Sequence, residues 1–249
     1  LNLARRAWVE FLGTAFLLAA VVGSGIMGEQ LSGGNPAITL LANSLATGFA
    51  LAALIIVFGP LSGAHFNPLV TLSLAARREA AWREAFPYLI AQFLGALAGV
   101  WAAHTMFGLP GFQDSQTVRS GGAQWWSEVV ATFGLVTVVL NCGRDRPWAA
   151  PIAVGGYIAA AYWFTASTSF ANPAVTLARA MTATFSGIRF ADVPAFVAAQ
   201  AGGALLAVLA DRALKGSPRI SPDRNAEPGA LSLGTRRSDI PPERIRQSN

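Results

Sequence analysis

The sequence predicts an all-α membrane protein in which six transmembrane helices and two re-entrant half-helices form an inverted repeat. Three observations carry that expectation. The chain of 249 residues is 53% hydrophobic and only 12% charged, about half the charge of an ordinary soluble domain. Six apolar runs, at roughly 7–27, 39–58, 85–107, 125–143, 149–166 and 193–211, each approach the ~20 residues a helix needs to cross a bilayer. The hexapeptide Asn-Pro-x-Val-Thr-Leu occurs at 67–72 and again at 172–177, once in each half of the chain. The runs are too long, and alternate too little, to be strands of a barrel.

Taken in order, the first run follows Arg5 and Arg6 as a signal peptide would, but its length and the lack of a small-x-small cleavage site favour a retained span. The second run leads into "SGAHFNPLVTLSLAA". There Asn67 is a strong N-cap, its side-chain oxygen able to accept from an unpaired backbone N–H. Pro68 suits the first helical position, where a missing N–H costs nothing. The apolar stretch that follows is about half a membrane long. Asn172 and Pro173 repeat this arrangement after the fifth run, with Leu69 in the first copy standing where Ala174 stands in the second.

Other markers repeat too. "WVEFLGTAF" at 8–16 resembles "WSEVVATFG" at 126–134, aligning Glu10 with Glu128, and "AQFLGALAGV" at 91–100 resembles "AQAGGALLAV" at 199–208. Each half contains three spans, an odd number, so the second half enters from the opposite face. The expected organisation is a membrane domain over 1–212, with repeats at about 7–107 and 125–211, followed by a tail at 213–249. That tail is rich in Pro, Ser and Arg and poor in apolar residues, a composition that predicts a disordered cytoplasmic segment.

The net charge of +5 does not point to nucleic acid, because its distribution has another cause. With the N-terminus inside, fifteen of the eighteen basic residues are cytoplasmic, and only Arg119, Arg179 and Arg189 fall outside. That is the positive-inside pattern, with both termini in the cytoplasm. Trp8, Trp82, Trp125, Trp126, Trp148 and Trp163 lie near span ends, as an interfacial aromatic belt requires. The single Cys142 excludes an intrachain disulfide and has no metal-site spacing. No nucleophile with a base and no His/Cys/Asp cluster is evident, so neither an enzyme nor a metal or other cofactor is expected.

An inverted repeat brings two capped half-helices together from opposite faces, N-terminus toward N-terminus. Each Asn oxygen is used in capping, which leaves its NH₂ as a donor toward the gap. Two positive dipole ends favour lone pairs there and oppose cations. The geometry describes a pore for oxygen-bearing solutes. A coupled secondary transporter also uses inverted repeats and broken helices, but would need a titratable group in mid-pathway.

The motifs "EFLGTAFLL", "SGAHFNPLVT", "AQFLGALAG" and "FANPAVT" resemble those of the aquaporin and aquaglyceroporin (major intrinsic protein) family over roughly residues 5–212. The resemblance implies a tetramer in the membrane with one pore per protomer, and a bacterial inner-membrane location. It places Asn67 and Asn172 in the pore, assigns Glu10 and Glu128 to holding the two motif loops, and gives His65 a bracing role near the cytoplasmic mouth. His104 has no such context and is expected at the interface. Most members carry Arg directly after the second motif; here that position is Val175. Arg179 lies one turn further, about 6 Å away by helix geometry, which argues against its reaching the same spot. Counting back from the asparagines without gaps assigns Thr47, Ala160 and Ser169 to the other filter positions, with Ala159 or Ala161 as the alternatives to Ala160 after a one-residue slip. Leu69 is expected to add bulk where the half-helices touch. A filter of Thr, Ala, Ser and Val predicts a wide, neutral constriction passing water, glycerol-like polyols and larger uncharged hydroxylated solutes. Resemblance to Arg-less bacterial members implies arsenite and methylated arsenicals among them.

Overall fold

A computed structural model describes residues 1–142 and 148–215. The described residues form eight α-helices: α1 (Leu3–Leu31), α2 (Pro36–Ser62), α3 (Pro68–Ala76), α4 (Trp82–Met106), α5 (Gly122–Cys142), α6 (Ala150–Phe164), α7 (Pro173–Arg179) and α8 (Val193–Lys215). The expected tail lies outside the described residues from position 216 onward, as do Arg144 and Arg146, while residues 213–215 continue α8.

All six expected spans are helices, and α3 and α7 are the two half-helices. Five spans are long and apolar enough to cross a membrane. The fifth expected span, α6, is shorter at 15 residues, about 22 Å of helix. It stops at Phe164, after which the chain turns toward α7.

The repeat governs packing. Helix α1 packs most extensively on α4, and α5 on α8, while α2 and α6 meet across the centre. Close approach in the first two pairs depends on glycines at matching places. A Cβ on Gly95 of α4 would strike the carbonyl of Phe11, next to Glu10, and one on Gly203 of α8 would strike that of Val129, next to Glu128. The belt tryptophans are all substantially exposed. His104 is not interfacial. It is fully buried, with Nδ1 2.8 Å from the Pro110 carbonyl oxygen and Nε2 2.7 Å from Thr182 Oγ1, and it ties the end of α4 to the loop after α7.

Candidate functional site

The half-helices are fastened to each other through their caps. Asn67 Oδ1 accepts from the Leu69 N–H at 2.9 Å, and Asn172 Oδ1 accepts from the N–H groups of Ala174 and Val175 at 3.0 and 3.3 Å. Asn67 Nδ2 donates to the Ala171 carbonyl at 2.7 Å, and Asn172 Nδ2 donates to the Phe66 carbonyl at 2.8 Å. Each amide therefore spends one N–H on the opposite loop, so the NH₂ is only partly turned to the gap. One N–H per asparagine remains for other partners.

Two buried carboxylates hold the loops in the same way. Glu10 accepts from Ser62 Oγ (2.6 Å), His65 N–H (3.0 Å), Phe66 N–H (2.7 Å) and Gln92 Nε2 (2.9 Å). Glu128 accepts from the N–H groups of Phe170 and Ala171 (both 2.9 Å) and from Gln200 Nε2 (2.6 Å). The glutamines also donate to Thr71 Oγ1 at 3.0 Å and Thr176 Oγ1 at 2.8 Å, and those hydroxyls donate to the carbonyls of Asn67 and Asn172. His65 Nδ1 lies 3.1 Å from Thr71 Oγ1, with its ring edge-on to Tyr88.

This pinning sustains an unusual backbone. Ala64 and Phe66 have φ of +50° and +48°, and Ser169 and Ala171 have +51° and +48°, the same two places relative to each asparagine. Such angles cost about 1–3 kcal/mol per non-glycine residue and persist only where the surroundings enforce them. A trans peptide sets its carbonyl opposite its N–H. Anchoring the N–H groups of His65 and Phe66 on Glu10 thus turns the Ala64 and His65 carbonyls away from it, and the same holds for Ser169 and Phe170 opposite Glu128.

A cavity of about 290 Å³ runs past both asparagines. Its wall is one face each of α1, α2, α5 and α6: Leu17 and Val21 on α1; Thr47, Leu51 and Ile55 on α2; Leu135 and Val139 on α5; Ala150, Val154, Ile158 and Tyr162 on α6. The steps of four residues are what one helix face aimed at a common axis produces. Val70 and Leu74 of α3 line one end, with Glu79 just beyond α3, and Val175 and Arg179 of α7 line the other; the loop residues Gly63, Ala64, His65, Phe66, Ser169 and Phe170 also contribute.

Of the expected filter positions, Thr47, Ser169 and Val175 line the cavity and Ala160 does not. Ala160 is exposed on the outer side of α6. The face of α6 that carries Val154 and Ile158 reaches next to Tyr162, whose hydroxyl lies 3.4 Å from Thr47 Oγ1. Ungapped counting failed because it takes no account of which face of α6 points inward, and Ala159 and Ala161 do not line the cavity either. The α7 end is also not neutral, since Arg179 is part of its lining. Leu69 packs against Val136, Leu140 and Ala204 of α5 and α8 rather than between the half-helices. Ala174 is buried in the main apolar core.

Gln92 and Gln200 were legible only as repeat markers, in the Ala-Gln dipeptides that open two of the matching segments; their partners emerge from the fold. Arg119, in the loop before α5, donates from Nε to the Gly187 carbonyl at 2.7 Å. Burial lowers its pKa from the ordinary arginine value, with Glu128 acting in the opposite direction.

Comparison with known proteins places these features in context. Residues 1–169 match the family described as "Major intrinsic protein". The chain is 54% identical over 207 residues to aquaglyceroporin AqpS of Rhizobium meliloti (strain 1021), covering 83% of this chain and 88% of that one. It is 34% identical over 172 residues to aquaporin AqpM of Methanothermobacter marburgensis, covering 58% and 68%. Among solved structures, the aquaglyceroporin from Plasmodium falciparum superposes with a TM-score of 0.67 at 23% identity, over 84% of this chain and 96% of that one; this likeness speaks for the fold.

Proposed function

The chain belongs to the major intrinsic protein family, and from that premise we propose that it is a passive channel for water and small uncharged hydroxylated solutes. One observation carries the reading. A single cavity lined by one face of each wall helix passes between two asparagines that cap opposed half-helices and bond to each other's loops. Such a path offers both halves of a solute's hydration shell. The remaining Asn N–H groups donate to hydroxyl oxygens, and the pinned carbonyls of Ala64, His65, Ser169 and Phe170 accept from hydroxyl hydrogens. An ion would lose far more hydration than these neutral partners return.

In this reading Glu10 and Glu128 anchor the loops, His65 braces the α3 mouth, and Thr47, Tyr162, Ser169 and Val175 form the constriction. The valine widens the passage, and glycerol-like polyols, arsenous acid and methylated arsenicals fit the chemistry. The aquaglyceroporin name of the Rhizobium relative supports polyol passage. The charge distribution supports an inner-membrane protein with both termini in the cytoplasm, and four protomers with separate pores follow from the family reading.

The test is stopped-flow swelling of proteoliposomes in water, glycerol and arsenite gradients. Faster glycerol and arsenite entry than in empty vesicles, linear in concentration and indifferent to proton or sodium gradients, is the expected result. Arsenite uptake at the empty-vesicle rate removes the arsenical from the substrate class, and water and glycerol permeation both at that rate refute the channel.

A further inference from the structure

Arg179 lies four residues beyond Val175 on α7, a spacing that by Cα position puts it a full turn from the constriction. Side chains of an α-helix lean back toward its N-terminus, so a long one covers the turn before its own Cα. The structure shows that course. Arg179 is 1% exposed, its Nε donates to the Ser186 carbonyl, and its Cζ sits 3.5 Å from the centre of the Phe170 ring. Phe170 is the neighbour of Ser169 in the loop ahead of α7. The guanidinium is therefore folded back to the level of the constriction, where Arg179, Val175, Ser169, Tyr162 and Thr47 share the α7 end of the cavity.

Two buried polar atoms at that end have no hydrogen-bond partner among the described residues, Arg179 Nη1 and Ser169 Oγ. Leaving such groups unmade is unfavourable unless a transient partner supplies the bond. The guanidinium also has no ion-pair partner among the described residues. The ion pairs among the described residues involve Arg6, Arg77, Arg189 and Lys215, not Arg179. Arg119 adds a second cation 5.1 Å from the same Phe170 ring, and its side chain donates to backbone carbonyls and to the Thr168 hydroxyl.

We infer that Arg179 is a specificity-determining residue of this pore: its guanidinium, with the Ser169 hydroxyl, binds an oxygen of a neutral polyhydroxylated solute passing Val175. The valine then has a positive role, leaving the space into which the solute fits beside a cation supplied from the next turn. The same charge turns cations back. This inference deepens the channel reading and rests on it.

The experiment compares full-length wild type, Arg179→Met, and the double variant Arg179→Met with Val175→Arg in proteoliposomes, reading glycerol and water permeability together with proton leak by an entrapped pH dye. Arg179→Met is expected to lower the glycerol-to-water permeability ratio by about tenfold, the size of one hydrogen bond to a charged group, and to raise proton leak. The double variant, which returns a guanidinium to the constriction from the other position, is expected to recover much of both. If Arg179 only braces the Ser186 loop, the two permeabilities fall together and the double variant does not restore the ratio, which overturns the inference. An unchanged ratio in Arg179→Met overturns it as well. Absence of glycerol flux through the wild type would instead refute the channel reading beneath it.

Discussion

Glu128→Gln preserves the shape of a buried side chain while removing its charge and half of its acceptor capacity. Glu128 accepts three hydrogen bonds, from the N–H groups of Phe170 and Ala171 and from Gln200. A glutamine offers one oxygen, so whichever way its amide is turned, at least one of these donors faces an NH₂. An orphaned buried donor costs about 1–3 kcal/mol, and each surviving bond loses its charge assistance, about 1 kcal/mol. Relief from burying a charge returns part of this, leaving about 3 kcal/mol. The loss falls on the loop holding Thr168, Ser169 and Ala171 at positive φ, whose strain is sustained by these bonds. Local opening should therefore become easier well before the helices separate. The expected result is about a hundredfold faster hydrogen exchange in peptides spanning 166–172, with glycerol flux reduced and α1–α4 protection unchanged. Exchange and flux both at wild-type level would show that Glu128 does not hold the loop, and the reasoning would fail.

Other perturbations probe the remaining links. Val175→Arg alone places a further guanidinium near Arg179; like charges ~5 Å apart at an effective dielectric of ~20 repel by about 3 kcal/mol, and together with the added bulk this should cut glycerol permeability more than tenfold, whereas unchanged glycerol swelling would contradict the assigned constriction. Tyr162→Ala should admit larger polyols and raise the erythritol-to-glycerol permeability ratio, while Ala160→Tyr, on the outer side of α6, should leave that ratio alone. Gly95→Leu forces a side chain into the Phe11 carbonyl and should destabilise by about 1–3 kcal/mol or more, seen as a lower unfolding midpoint in detergent. Gly156→Leu, where an added Cβ meets nothing within 4 Å, is the matched control and should not lower it.

Much of the fold was legible because the bilayer leaves few choices. A run of about 20 apolar residues must satisfy its own backbone, and helices do so within one segment. Asn-Pro marked the half-helix starts because capping and N1 chemistry are local. Locality also sets the limit of that signal. Asn35-Pro36-Ala37 is a third copy, nearer in letters to the second motif than Asn67-Pro68-Leu69 is. It caps α2 in the same manner, with Asn35 Oδ1 accepting from the Ala37 N–H at 3.0 Å, yet it is exposed and does not line the cavity. What separates it from the other two is the absence of a buried glutamate behind its loop and of a facing half-helix.

The cavity lining at the α7 end was the least legible part. Thr47, Ser169 and Val175 could be placed by counting, since each lies on a segment whose register the motif or its symmetry fixes. Tyr162 could not, because the inward face of α6 depends on how that helix packs against α2, where Gly48 and Gly155 permit close contact. Arg179 was discounted by the distance between successive turns, a measure of Cα positions that ignores where a long side chain lies. Sequence alone thus determined the spans, the inverted repeat and the two capped half-helices, each a consequence of local hydrogen bonding and hydrophobic length. Tertiary structure decided how the two capped ends bond to each other's loops, which face of α6 looks inward, and whether the passage carries a charge. Those outcomes depend on rotation about helix axes and on side-chain direction, neither of which is a property of any one segment.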